Sequence, residues 1–363
     1  MNITFYSAID FSSIDLSPID LSPIDFNAND FSTNEFSANR LNGALLDDPK
    51  NTLARLLGIG QNHMLNQAMS ELICEQFGVK ANPDYPLAAL SSQANKDSTA
   101  YYLQAEPVHL ILQRDCFALS DSASLDILPD ELQALMIVLN THFVGDGLVF
   151  ELTRENNLLL RLNDTPNIKT SLPEKVIGRN VYSFLPQGAD ASQWNKIINE
   201  IQMLLHEHPI NQQREAVGKP SINSVWLSGG GVLPNDVSTA FESVYSNVPY
   251  VQKLAQLSGV DAHNLPTDYL FANKQQVLIV LDNTFDTNAW FDVLLNQVRQ
   301  GATLRLNLAY QEVVLSSVIR PRDLYKHWYK TWIWTLLRKN KTVRQHFQAH
   351  FQAHLNQLSL SEV

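Results

Sequence analysis

Residues 190–234 read DASQWNKIINEIQMLLHEHPINQQREAVGKPSINSVWLSGGGVLP, and this stretch decides the fold. Trp194, Ile197, Ile198, Ile201, Leu204 and Leu205 recur at helical spacing, so they predict an amphipathic helix with one apolar stripe. Asp190, with Gln193 three residues on, has the pattern of a capping box. Pro209 predicts the end of that helix, with His206 and His208 in its last turn, where positive charge is favoured. A Gly218-Lys219-Pro220 turn follows. Ser224 to Leu227 then has the apolar, aromatic make-up of a short buried strand. Gly229, Gly230 and Gly231 come next and predict a loop that turns sharply or lies close to something.

Helix, turn, strand and glycine loop in this order can assemble an anion site. The expected ligand-binding residues are His208, Asn211, Arg214, Lys219, Asn223, Gly229, Gly230 and Gly231. Arg214 would clamp an oxyanion with two parallel donors, the glycine amides would donate from below, and the asparagines would fix orientation. The competing reading is a flexible loop beside a helix-end histidine pair.

Outward from this block the pattern alternates. Leu132, Leu135, Met136 and Leu139 predict a helix over 130–141 with Pro129 at its start. Hairpins are predicted over 108–119 and 148–163. Residues 41–78 read as two helices, the second over 62–76, and 80–99 as a loop. The run Val277 to Leu281 predicts a fully buried strand, followed by a helix over 287–300 and a hairpin over 303–319. Strand–helix units mixed with hairpins predict an α/β class with a mixed sheet flanked by helices.

The two ends are compositionally different. Residues 9–38 repeat every five residues with an acid at the second place and Leu or Phe at the third, resembling pentapeptide-repeat proteins. Ile14, Ile19 and Ile24 stand where those proteins need a small residue, so a flexible acidic arm over 1–40 is expected. A core over 41–335 is expected to follow, with a possible internal boundary near 155–190, and then a helical tail over 336–363. Eight Arg or Lys and one acid fall in 320–345 together with Trp328, Tyr329, Trp332 and Trp334. Such a stretch suits a membrane surface, a nucleic-acid backbone or an acidic protein partner, or packs by its tryptophans with a solvated basic face. His346, His350 and His354 share one helix face and could capture a divalent metal, although a duplicated surface tail explains them better.

A net charge of −11 and a pI of 5.3 argue against electrostatic binding of nucleic acid. Two cysteines, Cys74 and Cys116, build neither a disulfide framework nor a cysteine zinc site. No apolar run is long enough for a membrane span and no secretory signal pattern opens the chain, so a cytoplasmic protein is expected.

From Leu158 to Pro234 the chain resembles the archaeal-type, cofactor-independent phosphoglycerate mutases of the alkaline phosphatase superfamily. The residues that carry this are Leu185-Pro186-Gln187-Gly188, His208-Pro209-Ile210-Asn211, Arg214, Gly218-Lys219-Pro220, Asn223, Val225-Trp226-Leu227, Gly229, Gly231 and Pro234. Over 56–330 it is also similar to bacterial RpfE-type regulatory proteins, through motifs such as Ala105-Glu106-Pro107-Val108-His109-Leu110 and Leu139-Asn140-Thr141-His142-Phe143. The resemblance to the mutases implies two divalent metals, such as Mn or Zn, and a nucleophilic serine. The ligand pairs it would require do not stand at the corresponding places. The stretch matching their Pro-His-Asp reads Leu172-Pro173-Glu174-Lys175, and Asp282 is followed four residues later by Asp286 rather than His. Ser224 and Ser228 have no recognisable paired base. The expectation is therefore a regulatory or metabolite-binding protein on a degenerate mutase-like scaffold, without cofactor, holding a phosphate or phosphorylated ligand. A metal-dependent mutase or phosphatase is the alternative.

Overall fold

Asn2–Ala8 forms strand β1, which lies in the interior of a sheet. It pairs in parallel with β11 (Gln276–Val280) on one side and with β12 (Thr303–Tyr310) on the other. Ile3 and Phe5 point into one core while Tyr6 is buried on the opposite face, as expected of a parallel strand covered on both sides. The computed structural model describes residues 1–8, 52–114, 116–120, 125–266, 275–282, 287–310 and 313–325. The chain divides into two units, one from 1–67, 241–247 and 263–363, the other from 68–240 and 248–262.

The first unit holds a seven-stranded mixed sheet. Its order is β10 (Asp261–His263), β9 (Ser243–Ser246), β11, β1, β12, β13 (Val313–Ile319) and β2 (Gln61–Leu65). Strands β9, β11, β1 and β12 run parallel, whereas β13 and β2 join as antiparallel neighbours. Helices α1 (Thr52–Ile59) and α8 (Thr287–Arg299) contribute Leu56, Leu57, Trp290, Phe291 and Leu294 to one core with this sheet. The Trp290 ring sits 6.1 Å from that of Phe5.

The second unit is built on a four-stranded antiparallel sheet in the order β6 (Val149–Leu152), β7 (Leu158–Leu162), β3 (Tyr101–Val108) and β8 (Ser224–Val232). Helix α4 (Pro129–His142) and helix α5 (Ala191–His206) cover one face, burying Leu135, Leu139, Trp194, Ile198, Ile201 and Leu205 against Leu103, Val225 and Leu227. On the other face Trp226 packs with Val108, Val176 and Val181 and with a small hairpin, β4 (Leu110–Leu112) and β5 (Phe117–Leu119). Helices α2 (Met69–Gln76), α3 (Leu87–Ser91), α6 (Pro209–Ala216) and α7 (Pro249–Ser258) complete the unit.

The mixed α/β class, the hairpins, α4, α5, α8 and the buried strand at 276–280 match the sequence reading. Four expectations are corrected. The arm expected over 1–40 begins as a central strand, while its repeat at 9–38 lies outside the described residues. The helix expected over 62–76 is two elements. Gln61–Leu65 is the edge strand β2, whose exposed polar residues suit an unpaired edge, and only Met69–Gln76 is helical. The loop over 80–99 contains α3, four of whose residues are buried. The units divide at residues 67/68, 240/241, 247/248 and 262/263 rather than near 155–190, because 241–247 returns to the first sheet as β9. The tail over 336–363 lies outside the described residues.

Candidate functional site

Helix α5 buries the predicted stripe, but its start differs from a capping box. Asp190 is the N-cap without a side-chain bond into the helix; its Oδ2 accepts the Asn167 amide N–H at 2.7 Å instead. The helix ends at His206, and Pro209 then opens α6 at its first position, where its missing N–H costs nothing. His208 caps this second helix through Nδ1, which accepts the Ile210 N–H at 3.3 Å. A nitrogen that accepts carries no proton, and desolvation accordingly lowers the His208 pKa.

The remaining predicted anion ligands are held by internal partners. Asn211, 4% exposed, donates from Nδ2 to the Leu205 and Ile222 carbonyls at 2.8 Å each, and its Oδ1 accepts the Ile222 N–H at 2.7 Å. It ties the end of α5 to the entry of β8. Arg214 is 2% exposed. Its Nε donates to Pro220 O at 2.7 Å, one terminal nitrogen reaches both Glu131 oxygens at 2.9 Å, and the other donates to Leu125 O. Asn223 pairs with both backbone groups of Leu110, at 2.7 and 2.9 Å, and so anchors the small hairpin. Lys219 binds the Asp126 carboxylate at 2.7 Å, and that hydrogen bond holds the Asp126 carboxyl below its usual range.

The glycine triplet is not a loop. It lies within β8, and all three residues are buried. Pairing with β3 shifts register between Tyr102, opposite Gly231, and Gln104, opposite Ser228, so Gly229 and Gly230 accommodate a bulge. Gly229 has φ +61°, and a Cβ on Gly230 would stand 2.3 Å from the Tyr101 hydroxyl. The backbone approaches closely here, as the glycines predict, but what it approaches is protein. Gly229 is five residues beyond Ser224 along the strand, about 16 Å at strand rise. The structure thus gathers His208, Asn211, Arg214 and Lys219 around the α5–α6–β8 connection and places the glycines elsewhere. The two candidate serines face amides: Ser224 Oγ accepts from Gln202 at 3.3 Å and Ser228 Oγ donates to Gln104 at 3.2 Å.

Next to this connection lies a two-part cleft. Its outer part, about 670 Å³, is bounded by Leu110 and Phe117 of the hairpin, by Asn199, Gln202, Met203 and His206 of α5, and by Asn223. A second cavity of about 190 Å³ shares Leu110, Phe117, Asn199 and Gln202 with it and is lined further by Tyr182, Asn195, Val225 and Trp226. Asn195, Asn199 and Gln202 stand four and three residues apart, the spacing of one helix face. Sequence reasoning followed the apolar stripe of α5 and passed over this carboxamide stripe, which was readable. The hairpin wall opposite it was not, because Asn223 and Leu110 are 113 residues apart.

The comparisons with known proteins agree with the resemblance to the phosphoglycerate mutases seen in the sequence. No family model matches the chain. The 2,3-bisphosphoglycerate-independent phosphoglycerate mutase of Methanosarcina mazei is 32% identical over 106 residues, 29% of this chain and 23% of that enzyme. The corresponding enzyme of Methanosarcina barkeri is 25% identical over 166 residues, 43% of this chain and 41% of that enzyme. The chain is a distant homologue of these mutases. It spans between 23% and 41% of the length of these two curated relatives. Among solved structures, a cofactor-independent phosphoglycerate mutase from Thermoplasma acidophilum aligns at 15% identity with a TM-score of 0.34, covering 74% of this chain and 81% of that one. A protein from Pyrococcus horikoshii aligns at 14% identity and 0.39, covering 76% and 82%.

The metals implied by this relationship require carboxylates and histidines that converge. Among the described residues no three His, Cys, Asp or Glu side chains do so. At the place of the mutases' Pro-His-Asp, Lys175 is paired with Glu71 at 2.6 Å, and burial raises the Glu174 pKa, with Glu106 adding to it. Among the described residues the donor set does not fit a binuclear site.

Proposed function

We propose that this chain is a non-catalytic binding protein of regulatory type, on a scaffold related to the phosphoglycerate mutases. The occupation of Arg214 supports this reading. A phosphate-handling arginine must present its planar N–H donors to the ligand. Here each guanidinium nitrogen already donates to Pro220, Glu131 or Leu125, and the side chain is 1% exposed. Opening that network to admit a phosphate would strand the Glu131 carboxylate. Lys219 is the other Lys or Arg among the expected anion ligands, 32% exposed and paired with an Asp126 that is 75% exposed. One solvent-screened ammonium holds an anion weakly. The similarity to RpfE-type proteins supplies the regulatory sense. A partner on the basic aromatic stretch belongs to the same reading, and beyond Tyr325 that stretch lies outside the described residues.

The relatives' names give them an activity on phosphoglycerate, which provides the test. The full chain is incubated with 3-phosphoglycerate and Mn²⁺, and formation of 2-phosphoglycerate is followed through enolase. No turnover above the protein-free blank is expected. Metal-dependent turnover that follows this protein through successive columns would overturn the reading.

A further inference from the structure

We propose that strand β4 pairs with the β4 of a second copy of this chain, antiparallel about a twofold axis at Leu112, to form a homodimer in solution. The inference is independent of the function proposed above.

It rests on which sheet edges the fold covers. In the β4–β5 hairpin the Ser120 N–H donates to His109 O at 3.1 Å and the Gln113 N–H to Cys116 O at 2.8 Å. Antiparallel pairing alternates, so His109, Ile111 and Gln113 turn their backbone groups toward β5, and Leu110 and Leu112 turn theirs away. Leu110 bears this out, since the Asn223 carboxamide holds both its N–H and its C=O. Leu112 presents the same two groups on the same side, and among the described residues neither has a partner.

The other described edges are closed or guarded. On the far side of the hairpin Leu119 O accepts the Gly178 N–H at 2.9 Å, and Ala118 bridges to Asn180. Strand β8 is buried along nearly its whole length. Strands β2, β6 and β10 carry Gln61 and His63, Glu151, and Asp261 and His263, polar side chains of the kind that discourage pairing. Strand β4 reads Leu-Ile-Leu and carries none. Ile111 is nevertheless 45% exposed and Leu112 72%.

A single open residue decides the occupant. It offers two backbone hydrogen bonds, each worth about 1 kcal/mol net. A disordered peptide would have to order several residues to reach them, at about 1–2 kcal/mol apiece. A second copy brings the same strand already folded. Antiparallel residues that face each other can exchange both bonds, so Leu112 on a twofold axis satisfies the N–H and C=O of both copies at once. In that register Ile111 falls opposite Gln113 and Leu110 opposite Arg114 of the second copy, so no like charges are opposed. The two Leu112 side chains lie side by side and cover each other. Pairing stops there because Asn223 holds Leu110, so the contact is short and the dimer weak.

Sedimentation velocity of the full chain, from about 5 to about 500 µM, is expected to show one copy of 40.9 kDa passing reversibly toward two. Amide hydrogen exchange at Leu112 should slow over the same range. Leu112→Lys leaves the β4–β5 ladder in place and opposes two ammonium groups at the axis. Leu112→Pro removes the outward N–H without touching a β4–β5 bond. Each should raise the dimer dissociation constant by about tenfold or more. A chain that stays at one copy throughout would overturn the proposal and leave the edge to a different partner. A dimer unaffected by both variants would overturn it by placing the contact elsewhere. A Leu112 amide already protected in dilute, monomeric protein would overturn it too, since a segment of the same chain would then cover the edge.

Discussion

His208 carries a helix cap on an unprotonated nitrogen, and that makes one residue a source of pH dependence. Its folded pKa is lowered from 6.5 by desolvation, so the unfolded chain binds more protons in the window below that value. The contribution to stability is complete above pH 6.5 and is lost as pH falls through the depressed folded value. His208→Asn keeps a capping acceptor without a titrating proton. Urea unfolding between pH 7 and pH 5 should show it losing less stability than the wild type, by about 1 kcal/mol at most. Equal losses would mean that the cap does not respond to pH. A second residue prediction concerns Tyr101, whose buried hydroxyl has no partner among the described residues. Tyr101→Phe should be neutral or stabilising, since it removes a desolvated group that gains nothing. Gly230→Ala should cost about 1–3 kcal/mol, because its Cβ would meet that hydroxyl at 2.3 Å. The double variant should recover part of the loss, and strict additivity in thermal unfolding would contradict the contact.

At the scale of elements, β1 bears the most weight for its length. Removing residues 1–8 takes out the strand that joins β11 to β12 and exposes apolar surface on both sides of the gap. The shortened chain should fail to show a cooperative transition for the first unit by circular dichroism and hydrogen exchange; a protein that still melts like the wild type would contradict the topology. The same comparison separates what the sequence tells from what it hides. Periods of 3.6 and 2 made α4, α5, α8 and the three hairpins legible, since each is decided by its own neighbours. Strand β1 was obscured by its position, immediately ahead of a conspicuous repeat, and its burial depends on partners some 270 and 300 residues away. The glycine triplet was legible as a place of close backbone approach. That it approaches Tyr101 and Pro86 rather than a ligand follows from β3 and α3, which no local pattern places there.

For the molecule as a whole, the polar side chains of the block related to the mutases are engaged by internal protein contacts. Arg214, Asn211 and Asn223 were found in the sequence by residue type and spacing, and they do lie around one connection. The occupation of Arg214 and Asn223 was hidden because Glu131, Leu125 and Leu110 are 83 to 113 residues distant, whereas the partners of Asn211, Leu205 and Ile222, stand 6 and 11 residues away. This account makes global stability, rather than ligand affinity, the property that Arg214 controls. Replacing it leaves Glu131 without its counter-charge and the Leu125 and Pro220 carbonyls without their donor, a loss of about 3–5 kcal/mol for a buried pair. Urea unfolding of the wild type and Arg214→Met, each with and without 3-phosphoglycerate, measures this directly. The account predicts a midpoint lowered in the variant to that extent and unmoved by 3-phosphoglycerate in both proteins. An unchanged midpoint in the variant, with the wild type alone stabilised by 3-phosphoglycerate, would contradict it.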